Sequence, residues 1–360
     1  MKSLRDMAIR PARWLAASAP HGDIILSSRV RLARNLEGRR FPHSTGTDGL
    51  TLLREEIVAG LGRVDRLSGA DLWTMESLGE LERRFLLERH LISVDLVRNV
   101  PGRALMVSED EAMGIMVNEE DHLRLQTFSA GLSARAALES ARALADAVET
   151  ELPFARHDRL GYLTACPTNV GTGMRASVLA HLPGLSLSGD IEKVLSSLRR
   201  LNFTVRGFYG EGSGVMGALY QISNSVTLGV AEEEIVDELL RHTTKVLDCE
   251  RQARKAVAGR DVARLEDRVW RAFAILSHSR MLSTREAFEL LSDVRLGASQ
   301  GILTGVDESV LNVLLMSVQG AHLQIAQDRE MGPEQRDRAR ASYVRGQMAH
   351  AAGGNGSVDV

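Results

Sequence analysis

An α+β fold is predicted, an antiparallel sheet flanked by helices and followed by an all-helical domain, and three observations predict it. From about His21 to Asn224 short apolar runs alternate with glycine-rich turns. Two of those runs are joined only by Asn118 to His122. Beyond Val230 glycine thins out and long amphipathic segments take over.

The strand-like runs are Ile24-Ile25-Leu26, Gly114 to Val117, Leu123 to Phe128, Tyr162-Leu163-Thr164 and Leu219 to Ile222. The stretch Asn118 to His122 is too short for a helical crossover, so its two strands pair antiparallel. Ser133 to Thr150 reads as a helix with Ser133 at its N-cap. The C-terminal helices read as Glu232 to Val257, Asp261 to His278, Ser283 to Ser292 and Ser309 to Asp328. Ser283 and Glu286 spell a capping box, and Gly332-Pro333 separates a final basic helix. The expected organisation is an N-terminal segment (1–21), a mixed domain (22–250), a helical domain (251–350) and a Gly-rich tail (351–360). No internal repeat is present, which excludes a solenoid.

A net charge of -3 and 4% aromatic residues give no overall attraction for nucleic acid and leave only local arginine clusters as anion sites. The two cysteines, Cys166 and Cys249, exclude a disulfide framework and fit a reducing cytoplasm. No apolar run approaches the roughly 20 residues that cross a bilayer, so no membrane association is expected. Arginine outnumbers lysine, which a GC-rich genome alone produces, so only the placement of the arginines is informative.

Four segments carry chemistry. In Ser27-Ser28-Arg29-Val30-Arg31-Leu32-Ala33-Arg34-Asn35, an extended chain puts Arg29 and Arg31 on one face, where two guanidinium forks grip neighbouring oxygens of a polyphosphate. The bland alternative is a solvated basic edge strand. In Asn118-Glu119-Glu120-Asp121-His122-Leu123-Arg124, a hairpin tip offers carboxylates to a cation and Arg124 to phosphate, or is an ordinary solvated turn. Between Leu160 and Val178, Gly171 and Gly173 permit a tight turn before a strand begun by Arg175, without P-loop spacing. Cys166 in this segment is either activated beside guanidinium groups or a small packed residue. Finally, Val205-Arg206-Gly207-Phe208-Tyr209-Gly210-Glu211-Gly212-Ser213 suits a flap that brings Arg206 to phosphate and Glu211 to substrate, or a plain glycine-rich hairpin.

Read in order, SSRVRLARN, VNEEDHLRLQ, CPTNVGTGMRASV and RGFYGEG resemble the catalytic domain of the ATP:guanido phosphotransferases, the phosphagen kinase family, and most closely its bacterial protein-arginine kinases of the McsB type. The resemblance spans most of residues 22–228 and implies a phosphagen-kinase-like catalytic domain. It implies five phosphate-binding arginines, Arg29, Arg31, Arg124, Arg175 and Arg206, and two substrate-side carboxylates, Glu120 as general base and Glu211 as aligner. The ATP site it implies comprises Ser27, Ser28, Arg29, Val30, Arg31, His90, Arg124, Arg175, Ala176, Ser177, Val178, Leu179 and Arg206, with Gly207, Phe208, Tyr209, Gly210 and Glu211. Cys166 aligns with the family's reactive cysteine, read as a substrate-positioning residue. Because no His, Cys and carboxylate cluster suggests a dedicated metal site, Mg²⁺ is expected to arrive with ATP.

A helical domain precedes the SSRVR-type motif in small-molecule phosphagen kinases, whereas here the motif begins at Ser27, which implies access for arginine on a protein. Arg336, Asp337 and Arg340 resemble the RDxxRA motif that binds phosphoarginine and couples it to activity; Arg336 and Arg340 share a helix face. The resemblance further implies arginine-bearing protein substrates, a small activator protein, a Clp-type protease and ATPase, a stress-response repressor and a homodimer. One departure is Gly214-Val215-Met216, where related bacterial enzymes carry an acidic residue followed by a small one. Two alternatives stay open: a kinase of a small free guanidine, and a non-catalytic phosphoarginine-binding adaptor.

Overall fold

The computed structural model describes residues 3–208 and 214–352. Its strands are β1 (Ile25–Arg34), β2 (Asp71–Thr74), β3 (Ala104–Val107), β4 (Met113–Val117), β5 (Leu123–Ala130), β6 (Arg156–His157), β7 (Gly161–Tyr162), β8 (Met174–His181), β9 (Phe203–Gly207) and β10 (Leu219–Asn224). Eight of them form one sheet in the order β2-β3-β4-β5-β1-β8-β10-β9, with every pairing antiparallel. The expected hairpin is β4–β5, closed over Asn118 to His122. The run at Tyr162 behaves differently: only Gly161 and Tyr162 are extended, and they pair with β6 outside the main sheet.

Period-2 alternation gives the sheet two unlike faces. Val30 and Leu32 of β1, Ala176 and Val178 of β8 and Ile222 of β10 are buried in one core, while Arg29, Arg31, Arg175 and Gln221 point to the other side and line a cleft. Beneath the apolar face lie α2 (Thr47–Leu61), α5 (Ala134–Glu149) and the first half of α8 (Glu232–Arg260). In α5, Ala137, Ala141, Leu144 and Val148 recur at helical spacing and are all fully buried. Ser133 occupies the N-cap of α5 without making a side-chain cap bond; its own N–H is held by Ser28 Oγ at 2.9 Å.

Small helices α1 (Leu4–Ile9), α3 (Glu80–Glu88) and α4 (Val94–Arg98) pack around the β2–β4 edge, and α6 (Pro183–Ser188) and α7 (Ile191–Arg200) connect β8 to β9. The C-terminal helices are α9 (Val262–His278), α10 (Thr284–Ser299), α11 (Glu308–Ser317), α12 (Gly320–Ala326) and α13 (Pro333–Ala352). Asp261 caps α9 by accepting the Arg264 N–H, and Ser283 caps α10 by accepting that of Glu286. Residue 250 falls within α8, which continues unbroken to Arg260. The C-terminal helices share a core with the sheet, where Leu265, Phe288 and Leu314 meet Phe128, Leu179 and Leu219.

The single helix expected over Ser309 to Asp328 is instead two, α11 and α12, bent by 95°. The cause is a residue far away in sequence. The Glu88 carboxylate accepts the N–H groups of Ala321 and His322 at 2.9 and 2.8 Å, satisfying the start of α12, and the Gln319 amide donates to Leu315 and Glu88 carbonyls at the end of α11. Among the described residues no single helix is long and apolar enough to cross a membrane.

Candidate active site

The cleft-facing side of the sheet carries at least one basic or polar residue on each of five adjacent strands. Arg124 comes from β5, Arg29 and Arg31 from β1, Arg175 from β8, Gln221 from β10 and Arg206 from β9. The register aligns them: Arg31 is opposite Arg175, Ala33 opposite Arg124, and Gln221 opposite Arg206. All five arginines singled out from the sequence therefore line one cleft of about 630 Å³.

Within this concentration of positive charge the arginines act on one another. Among the described residues, neither Arg29 nor Arg31 has a carboxylate at ion-pair distance, and Arg31 Nε lacks a hydrogen-bond partner. Burial, then the charges of Arg124 and Arg175, lowers the Arg29 pKa to about 9, and burial with Arg29, Arg124 and Arg175 holds that of Arg31 well below its ordinary value. Glu119 partly offsets the charge, accepting from Arg124 Nη1 at 2.7 Å. Burial opposes ionisation of Glu119, but Arg124 and a hydrogen bond from Ser93 outweigh it and hold the carboxyl at about 2. Guanidinium groups so placed suit a polyanion.

The three consecutive acids of the hairpin tip have separate roles. Glu119 pairs with Arg124, as above. Asp121 is structural: its Oδ1 accepts from Asn35 Nδ2 and from the Ala165 N–H, both at 2.6 Å, tying the hairpin to β1 and to the Cys166 segment. His122 completes the brace, with Nδ1 accepting the Leu36 N–H at 3.0 Å. Glu120 is left facing the cleft with no side-chain hydrogen bond among the described residues. Burial, then Asp121 and Glu119, raises its pKa above the ordinary carboxylate value. A carboxylate with raised basicity, opposite an arginine row, is equipped to take a proton.

Cys166 and Thr168 close the cleft beside Glu120, with the thiol and hydroxyl 3.0 Å apart. At the other end, Trp14, His90, Phe128 and Phe208 form an aromatic slot next to Arg29, also bordered by Ser27, Ser177 and Leu179. Trp14 stacks on Phe128 with ring centroids 5.3 Å apart, and His90 meets the Phe208 ring edge-on at 4.7 Å. His90 has φ of 60°, a left-handed conformation uncommon for a non-glycine residue, and the adjacent Leu91 carbonyl is held by the Gln126 amide at 2.8 Å. Burial, Arg29 and Arg31 depress the His90 pKa to about 3, so its ring is neutral.

The continuous runs read from the sequence divide by strand face. Ser27, Arg29, Arg31, Arg175, Ser177 and Leu179 line the cleft or the slot, whereas Val30, Ala176 and Val178 lie in the opposite core and Ser28 Oγ donates to the Gly131 carbonyl. Arg206 reaches the cleft, Gly207 ends β9 and Phe208 enters the slot; Tyr209, Gly210 and Glu211 lie outside the described residues. Far from the cleft, Arg340 of α13 is 1% exposed and donates to the Val318 and Leu282 carbonyls and to Asp337, each at 2.6 Å. Asp337 is thus engaged by its own helix, while Arg336 lies against Gly320 at the start of α12.

Trp14, Gln221, Ser93 and Asp95 line the site without having been singled out from the sequence. Gln221 had a readable signal, a polar side chain between apolar Tyr220 and Ile222 in a strand. Trp14 had none, since it arrives from a segment without regular periodicity.

The ATP:guanido phosphotransferase C-terminal catalytic domain matches residues 54–253, and the protein-arginine kinase McsB C-terminal domain matches residues 262–357. The protein-arginine kinase of Symbiobacterium thermophilum is 44% identical over 341 residues, 94% of this chain and 97% of its own length. That of Moorella thermoacetica is 43% identical over 343 residues, 94% of this chain and 98% of its own. Among solved structures, lombricine kinase shares 26% identity at a TM-score of 0.57, covering 67% of this chain and 71% of that one. A duplicated taurocyamine kinase from Schistosoma mansoni, solved with transition-state analogue components, shares 28% identity at a TM-score of 0.59; the match covers 65% of this chain and about a third, 34%, of that one. The chain belongs to the ATP:guanido phosphotransferase family, within its protein-arginine kinases.

Proposed function

We propose that the cleft transfers the γ-phosphoryl group of ATP to the guanidinium of an arginine side chain on a protein. The supporting observation is the arginine row across the sheet with Glu120 facing it. In this reading the adenine enters the aromatic slot, which places the phosphates over Arg29, Arg31, Arg124, Arg175 and Arg206. Mg²⁺ would enter with the nucleotide and offset charge on its phosphates.

A guanidinium has a pKa above about 12 and is a poor nucleophile until one nitrogen is aligned and deprotonated. Glu120 accepts the proton, the freed nitrogen attacks the γ-phosphorus, the N–P bond forms and the bond to the bridging oxygen breaks, releasing ADP. Charge that develops on the phosphoryl oxygens is met by guanidinium groups already in place, so little reorganisation is needed during transfer. Glu211 is assigned the second carboxylate contact to the substrate and Cys166 its positioning, both on family resemblance. Coupling to a Clp-type protease, to a stress-response repressor and to an activator protein, cytoplasmic location, a homodimer, and a phosphoarginine-binding role for Arg336, Asp337 and Arg340 complete the proposal on the same ground.

The test supplies ATP with an unstructured arginine-containing protein in one reaction and free L-arginine in another. Acid-labile phosphate on the protein supports the proposal. Transfer to the free amino acid alone assigns a small-guanidine kinase instead, and binding of phosphoarginine without any transfer assigns an adaptor.

A further inference from the structure

A second groove adjoins the catalytic cleft. It has a volume of about 470 Å³ and lies between the β6–β7 hairpin, the turn at Gly171 and Thr172, and the chain from Thr227 to Glu232. Leu160 and Leu228 border it with 42% and 51% of their surface exposed. Apolar side chains scattered singly on a surface need no explanation, but here two flank one concavity.

Its wall is also the wall of the cleft. Thr168, Asn169 and Gly173 line the cleft, while Gly171 and Thr172, in the same turn, line the groove. The turn is fastened from the groove side: the single Thr227 hydroxyl proton is shared between the Thr168 and Val170 carbonyls, 2.9 and 2.8 Å from Oγ1, and the Thr172 N–H donates to the Thr227 carbonyl at 3.0 Å. Gly171, at φ 111°, sits so close to this chain that a Cβ would lie 2.3 Å from the Thr227 carbonyl oxygen. One turn therefore contributes to both depressions, the groove lying on its Arg34 and Glu232 side.

The charges around the groove are selectively committed. Glu232 is neutralised by Arg142 at 2.6 Å and faces Arg34 at 3.6 Å, and Arg156 is held by Glu149. Arg159 forms no ion pair among the described residues, so the groove presents apolar flanks with one uncommitted positive charge.

We propose that this groove binds the substrate polypeptide beside the target arginine, taking an apolar side chain between Leu160 and Leu228 and an acidic neighbour against Arg159. A free guanidine has nothing to place there. The inference rests on the protein-arginine kinase reading above and adds a sequence preference to it.

The test compares wild type, Leu160→Ser/Leu228→Ser and Arg159→Glu. The acceptors are an unstructured arginine-containing protein, N-acetyl-arginine methylamide, and two short peptides in which the arginine is flanked by leucine and either aspartate or lysine. The double variant is expected to raise KM for the protein roughly tenfold, the scale of lost apolar contact in a recognition pocket, while leaving KM for ATP and transfer to the blocked arginine unchanged. Arg159→Glu is expected to reverse the preference between the aspartate and lysine peptides. Unchanged KM and an unchanged peptide preference in folded variants overturn the docking site while leaving the kinase reading intact; equal loss on every acceptor also overturns it. Wild type that modifies no protein or peptide refutes the kinase reading itself, and the docking site with it.

Discussion

Arg31 of β1 stands directly opposite Arg175 of β8, two guanidinium-bearing side chains on the same cleft-facing side of adjacent antiparallel strands. Like charges in that relation destabilise a sheet. The arrangement persists because the surrounding core fixes the register: Val30, Leu32, Ala176 and Val178 alternate with the arginines and are buried in the other face. A one-residue slip would move the arginines into that core. If the pair binds phosphate as proposed, function and stability oppose each other there.

The first prediction follows from that opposition. Arg31→Gln is expected to raise the melting temperature of the nucleotide-free protein while shrinking the stabilisation produced by Mg-ATP, because it removes repulsion and the proposed phosphate contact together. Its kcat/KM is expected to fall on the order of a hundredfold or more. Thermal melts with and without nucleotide, alongside initial rates, check both signs.

A second prediction concerns pH. Glu120 must be ionised to take a proton, and burial with Asp121 and Glu119 raises its pKa, so activity is expected to rise with pH through a value above the ordinary carboxylate range. Asp121→Asn retains an oxygen that can accept from Asn35 and Ala165 but removes a negative neighbour. The acid limb of its kcat/KM profile is expected to move to lower pH.

Glu88 gives a stability prediction with the opposite slope. Burial raises its pKa to about 7, against the opposing effects of the Ala321 and His322 N–H groups and of Arg340 and Arg336. A carboxyl whose folded pKa lies above its unfolded value binds more protons when folded, so its contribution is fully present below about 4.5 and is lost as pH rises through about 7. Melting temperature in that window is expected to depend less on pH in Glu88→Gln than in wild type. A parallel decline in both proteins contradicts the assignment.

The α13 arginines are separable by burial. Arg340 supports two backbone carbonyls, so Arg340→Ala is expected to destabilise the protein by about 3 kcal/mol, leaving those acceptors unsatisfied. Arg336→Ala, at a less buried position, is expected to melt close to wild type. Loss of phosphoarginine response in Arg336→Ala is therefore the cleaner test of a ligand site there, with denaturant unfolding as the control.

Legibility in the sequence followed the range of the interactions. The β4–β5 hairpin, the two-faced strands and the cap at Ser283 were readable because their determinants are local. The arginine cluster was readable because strand periodicity and motif order both pointed to it. The break at Gln319 was not, since the Glu88 carboxylate that stabilises it comes from more than 200 residues upstream. The division of labour among Glu119, Glu120 and Asp121 was likewise hidden: three adjacent acids look alike until Arg124 claims the first and Asn35 and Ala165 claim the third.

The most direct test of the account is ³¹P NMR of the protein product, kept at neutral to alkaline pH, from wild type and Glu120→Ala at saturating Mg-ATP. The account predicts a phosphoramidate resonance with wild type and its near absence with Glu120→Ala, although nucleotide still stabilises the variant thermally. A resonance of a phosphate ester in place of phosphoramidate, or equal phosphoramidate formation by the variant, would contradict the claim that this arginine row and Glu120 together build an N–P bond.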